Sequence, residues 1–222
     1  MKYVFFDIEC ACVYKNVAKI CVFGYCVCDE QFHILQKEDI LINPNGKFHL
    51  TDRGGEGLIL PYDYDDFKKY PDFKAFYEKI KALLEDKDSY VFGHAAINDV
   101  KYLCLETKRY KLPSFSFRFA DTQILYMAMT ETYDRQAGLE SLTQIFEIDY
   151  KPHCAADDAY ATMRIAQEMC CKEQCSLDEL LKKYSIRFGK IENYQFTNCS
   201  SNRRSEFLRE KSKDKRERGD NR

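Results

Sequence analysis

No run of apolar residues in this 222-residue chain approaches the roughly 18 that would suggest a membrane span. The start of the chain offers Lys2 and then only Tyr3 to Phe6 before Asp7, too short for the apolar core of a secretory signal. A cytoplasmic protein without membrane contact is therefore expected. Zinc-type motifs are missing as well: Cys170, Cys171 and Cys175 lack the tight paired spacing, and the four histidines do not sit beside them. Eleven cysteines, an odd number, in a reducing compartment argue against a disulfide framework. Free thiols are expected instead, with Cys10/Cys12 and Cys26/Cys28 alternating along apparent strands as small buried hydrophobes. There are no internal repeats. A net charge of −2 lacks the basic excess of a protein that coats long duplexes.

What is present is a composition of 45% hydrophobic and 32% charged residues, enough to bury a core in one domain. Residues 1–185 read as that domain and 186–222 as a charged C-terminal extension. From about residue 200 the extension is rich in charge and poor in apolar residues, so disorder is expected there. Residues 200–222 hold nine Lys/Arg against five Asp/Glu, a local +4. Residues 2–7, 18–29 and 32–43 read as three strands, the last two joined by a short turn at Asp29-Glu30-Gln31. Helical periodicity follows in 66–86, its main body starting after Pro71. A strand over 89–94, a helix from about Asn98 to Arg109, and a strand carrying Phe115, Phe117 and Phe119 come next. Helices are expected at about 122–131, 139–147, 155–172 and 176–185. The order suggests an α/β fold in which an antiparallel meander is extended by parallel crossovers, with helices on both faces.

Asp7 and Glu9 stand one residue apart at the end of the first apolar strand, so they project to the same face if the extended geometry continues through Ile8. Two carboxylates so close repel each other unless something positive lies between them, and a divalent cation with oxygen ligands fits that need. Alone, the pair equally describes a polar strand end. Asp99, however, opens the helix that follows the strand ending in Gly93-His94, and Asp158 lies in the first turns of the helix opened by KPHCAADDA. His153 and Asp158 are too far apart in helical phase to share a face, so His153 is expected in the lead-in loop after Pro152. Four converging carboxylates are what two divalent ions some 3.5–4 Å apart would neutralise while clamping a phosphodiester.

The segments FFDIE, GHAAINDVKYL and HCAADDA resemble, in order and spacing, the three motifs of the DEDDh (DnaQ-like) 3′–5′ exonucleases. Asp121-Thr122 and GLESLTQIFEI are supporting matches, and the resemblance spans about residues 1–175. It implies a ribonuclease H-like fold: a mixed five-stranded sheet, three antiparallel strands plus two parallel ones, flanked by helices. It further implies that Asp7, Glu9, Asp99 and Asp158 hold two Mg²⁺ or Mn²⁺ ions, with His153 as general base. The backbone around Ile8, Cys10 and Ala11 would receive the 3′-terminal nucleotide, with His94 lining the pocket. The implied substrate is a single-stranded DNA or RNA 3′ end, and the product a nucleoside 5′-monophosphate. Cys10, Ala11 and Cys12 depart from the small polar residues usual after the first motif, and EGLILPYDYDDF (56–67) replaces the family's usual His-Gly-Ile segment. Two other functions fit the same residues: a nucleic-acid-binding or regulatory module that has lost turnover, and a proofreading subunit partnered with a DNA polymerase.

Overall fold

In a computed structural model, which describes residues 1–50, 59–133, 136–203 and 207, the chain builds a twisted main sheet between two helical layers and a small two-stranded one beside it. β1 (Lys2–Tyr14), β2 (Val17–Asp29) and β3 (Ile34–Leu41) form the antiparallel meander. A 3₁₀ turn at Asp66–Lys69 precedes α1 (Phe73–Leu84), which is capped by the Asp72 side chain and starts beyond Pro71 as expected. Then come β4 (Ser89–Gly93), α2 (Ile97–Arg109), β5 (Phe117–Asp121), α3 (Thr122–Thr130), α4 (Leu139–Ile145), α5 (Ala155–Glu173) and α6 (Leu177–Lys183). β4 and β5 run parallel to β1, so the expected three-plus-two arrangement is present.

The sheet continues beyond it. After β6 (Ile186–Arg187), the strand β7 (Gly189–Glu192) pairs antiparallel with β5, β8 (Gln195–Thr197) pairs with β7, and β9 (Ser200–Ser201) returns to β6. The main sheet thus has seven strands in the order β3-β2-β1-β4-β5-β7-β8. The division expected at residue 185 consequently does not coincide with the edge of the sheet. Its polar strands, KIE and QFT, carry too little apolar alternation to read as sheet. The disorder expected from about residue 200 concerns residues that, beyond 203 and apart from Phe207, lie outside the described ones.

Strand alternation divides the core in two. Val4, Phe6, Ile8 and Cys10 of β1 face α1 and α2, together with Phe73, Ile80, Val100 and Leu103. Tyr3 and Phe5 face the other way, with Cys26 and Cys28, against Leu125, Met163, Ile165 and Leu180. Phe115, Phe117 and Phe119 are buried core residues, as their alternation suggests. No helix among the described residues is long and apolar enough to cross a membrane.

Candidate active site

Asp7 and Glu9 both lie within β1, because the strand runs on through Ile8 to Tyr14 and keeps the two carboxylates on the α5 side. Directly after Glu9 the β1–β2 register shifts: Glu9 is opposite Val22 but Cys10 is opposite Ile20. Such a bulge bends the strand and re-aims the residues beyond it. The parallel strands β1, β4 and β5 end on the same side of the sheet, where open α/β sheets bind ligands.

Two helices bring the remaining acids to that end. Asp99 sits in the first turn of α2, buried. The turn before it is held by Asp121, whose carboxylate accepts from the backbone N–H of Ala95 (3.1 Å), Ala96 (3.0 Å) and Gln123 (2.9 Å). Burial raises the Asp121 carboxyl to about 6, and those same N–H groups pull it back. Asp158 lies in the first turns of α5, buried, while His153 stands in the loop ahead of that helix with a left-handed backbone, φ 61°. That turn lets the half-exposed imidazole bend back towards β1, Nδ1 lying 4.0 Å from Glu9 Oε1. Ligand atoms of Glu9, His153 and Asp158 all come within 4.8 Å of one another.

The electrostatics of the cluster are those of a site built for a cation. Burial raises the Asp7, Glu9, Asp99 and Asp158 carboxyls above the ordinary carboxylate range, and the charges of the other acids raise them further. Asp7 acts on Glu9, Asp99 and Asp158, and Asp39 of β3 acts on Asp7, Glu9 and Asp158. Hard carboxylate oxygens, with a neighbouring imidazole, fit a divalent cation.

The terminal nucleotide is expected against the backbone of Ile8, Cys10 and Ala11, whose side chains are turned into the core. Ile8 and Cys10 point into the α1/α2 core, on the opposite face from Asp7 and Glu9, because side chains alternate along a strand. Ala11 is fully buried beside Leu60, Phe67 and Ala155, and its carbonyl accepts the His49 N–H at 2.7 Å. His94 has both ring nitrogens engaged, Nδ1 with Thr122 Oγ1 and Nε2 with the Ala137 carbonyl, each at 2.9 Å. Burial lowers its pKa to about 4, so it is a neutral, structural histidine that ties the end of β4 to α3. Three residues near the site carried no signal in the sequence: Asp39, Tyr62 and Tyr150. The Tyr150 phenol feels the charges of Asp158 and Asp7 and is held by Thr143. Asp157, the sequence neighbour of Asp158, pairs with Lys37 on β3.

The family described as RNase_T, exonuclease, matches residues 4–166. Among solved structures, a 3′-exonuclease bound to a histone mRNA stem-loop is similar at TM-score 0.66 and 14% identity, covering 88% of this chain and 89% of that one. The nuclease domain of 3′hExo, a DEDDh family member bound to rAMP, is similar at TM-score 0.62 and 16% identity, over 78% of this chain and 93% of that one. E. coli Exonuclease I with a dT13 oligonucleotide gives 0.61 and 18%, over 78% of this chain but 42% of that longer one. Comparison with curated protein sequences returns no match. At these identities the structural likenesses establish the ribonuclease H-like fold, and the family match spans the positions of all five motif residues.

Proposed function

The chain belongs to the exonuclease family, and on that premise we propose that it hydrolyses phosphodiester bonds from the 3′ end of single-stranded DNA or RNA, releasing nucleoside 5′-monophosphates. The observation that supports this reading is the grouping of Glu9, Asp158 and His153, with the Asp7 and Asp99 carboxylates close enough to act electrostatically on that group.

Asp7, Glu9 and Asp158 would hold Mg²⁺ or Mn²⁺, with Asp99 supporting a second ion. When bound, the two ions supply charge stabilisation for the attacking and leaving oxygens of the phosphodiester. The protein's own residues supply the rest. β1 fixes Asp7 and Glu9 in a rigid, buried strand, so the acids keep their places without reorganisation. His153, half exposed at the mouth of the site, takes the proton from the attacking water as general base. A binding module without turnover would have no use for a buried acid cluster with an imidazole at its mouth. Partnership with a DNA polymerase is a separate question, answered by co-purification.

The test is release of nucleotides from matched DNA and RNA oligonucleotides, single- and double-stranded, labelled at either end, with Mg²⁺ or Mn²⁺. A 5′-labelled strand shortening step by step, with 5′-monophosphates as product, is the expected result. No release at high enzyme with either metal overturns the reading.

A further inference from the structure

α5 carries Asp158 and follows His153, so its first turn decides where both side chains point. The opening N–H groups of a helix need partners from outside it, and Cys154, at the cap position, supplies no side-chain bond. The cap is borrowed from elsewhere in the chain. Asp39 of β3 accepts the Ala156 N–H through Oδ1 at 2.7 Å. Its Oδ2 accepts the Tyr62 hydroxyl at 3.0 Å and the Cys154 thiol at 3.2 Å. The Tyr62 oxygen in turn accepts the Ala155 N–H at 3.3 Å. Two residues along the same face of β3, Lys37 pairs with Asp157 and lies 4.8 Å from the centre of the Tyr160 ring.

The sheet prepares the place for this turn. Asp7 is opposite Gly24, and Gly24 is opposite Asp39, so the three form one cross-strand row with their side-chain positions on one face. The middle position has no side chain. A Cβ there would come within 2.1 Å of the Ala155 carbonyl carbon and 2.2 Å of the Ala156 nitrogen. The start of α5 therefore rests on the sheet between two carboxylates, one belonging to the acid cluster and one gripping the helix.

We propose that Asp39, backed by Tyr62, is a positioning residue for phosphodiester hydrolysis: it fixes the first turn of α5 so that Asp158 and His153 face Asp7 and Glu9. The inference rests on the exonuclease reading above. Asp39 is half-buried on an edge strand and its carboxylate is spent on Ala156, Tyr62 and Cys154, so it acts through α5 rather than on the substrate.

The experiment compares Asp39→Ala, Asp39→Asn and Tyr62→Phe with wild type, at matched folded fraction by circular dichroism. Asp39→Ala is expected to lower turnover at saturating oligonucleotide about 10–100-fold and to raise the half-saturating Mn²⁺ concentration about tenfold, with KM for the oligonucleotide within about threefold. Asp39→Asn keeps Oδ1 for the Ala156 N–H but sets an amide NH2 where Oδ2 accepts from Tyr62 and Cys154, so it should fall about three- to tenfold, between wild type and Asp39→Ala. Tyr62→Phe should fall about three- to tenfold in the same two quantities. A folded Asp39→Ala with wild-type turnover and Mn²⁺ dependence overturns the proposal. So does an Asp39→Asn that falls as far as Asp39→Ala, because the retained bond to the Ala156 N–H would then contribute nothing to placing α5. If Asp39→Ala does not fold, wild-type behaviour of Tyr62→Phe overturns it. An inactive wild type on every oligonucleotide sinks the exonuclease reading instead, and calorimetric Mn²⁺ binding by the same variants still decides the role of Asp39.

Discussion

His153 Nδ1 lies 4.0 Å from Glu9 Oε1, although Glu9 stands on a rigid central strand and His153 in a left-handed turn. The separation is too long for a direct hydrogen bond and suits a water held between the two. His153→Asn keeps a residue that tolerates the left-handed backbone while removing the base. Turnover should drop about 10²–10⁴-fold, with folding stability within about 0.5 kcal/mol of wild type. Single-turnover nucleotide release and urea denaturation would check the two halves.

Asp7 is the acid whose charge acts on the other three members of the cluster. Asp7→Asn should cost about 10³-fold or more in hydrolysis. Without divalent ions the same substitution should stabilise the fold by about 1–2 kcal/mol, since it removes a repelling buried charge. Opposite signs for activity and for stability in chelator are the expected signature, read by thermal melts beside the assay.

Gly24→Ala places a methyl where the backbone of Ala155 and Ala156 already lies. Neither backbone group can move aside as a flexible side chain would. A stability loss of about 2–3 kcal/mol is expected, with activity falling in the fraction that remains folded as α5 lifts away from Asp7. Denaturant titration followed by assay at matched folded fraction would separate the two effects.

The acid cluster also sets a pH dependence. An acid raised on folding keeps its proton in the native state at pH values where the unfolded chain has lost it. Its contribution to stability is therefore full below about pH 4 and is lost as pH rises through the raised value. Chelator-treated protein should melt several degrees lower at pH 9 than at pH 6, and Mg²⁺ should restore more stability at the higher pH. Calorimetry in two buffers of different ionisation enthalpy should show protons released as the ion binds.

His94 works in the other direction. Its pKa is lowered to about 4 on folding, so the stability it contributes is present above about 6.5 and lost as pH falls towards 4. His94→Ala leaves the Ala137 carbonyl and Thr122 hydroxyl without the imidazole and should cost about 2–3 kcal/mol at pH 7. The variant's stability should also change less between pH 6.5 and 4 than that of wild type, as measured by denaturant midpoints.

Asp7 and Glu9 were legible as a same-face pair, although β1 runs on past them to Tyr14, and Asp99 and Asp158 because each lies in the first turns of a helix. His153 was legible through Pro152 and helical phase. The partners of His94, five residues ahead of Asp99, are Thr122 and Ala137, which its own segment does not signal. The alternation that pairs Asp7 with Glu9 turns the Ile8 and Cys10 side chains to the opposite face and leaves only their backbone for the expected contact. Asp39 was invisible for a physical reason: in ILQKEDIL it is one more charge on an exposed edge strand, and its partners at residues 62 and 154–156 are distant in sequence. β7 and β8 were missed because strands this short and polar owe their conformation to pairing rather than to pattern.

That pairing of β7 on β5 bears on how the protein keeps its own copies apart. A chain stopped at residue 185 would leave the outer hydrogen-bonding row of β5 bare, an adhesive edge open to any other strand. Gly189 seals it so closely that a Cβ there would meet the Phe119 ring at 2.4 Å. The border then passes to β8, three exposed residues that offer little length for a foreign strand to copy. At the other border Lys37, Glu38 and Asp39 of β3 are engaged by Asp157, Lys79 and the start of α5, which tie that edge to its own chain. The polar strands that sequence patterning overlooks thus cover the edge of β5.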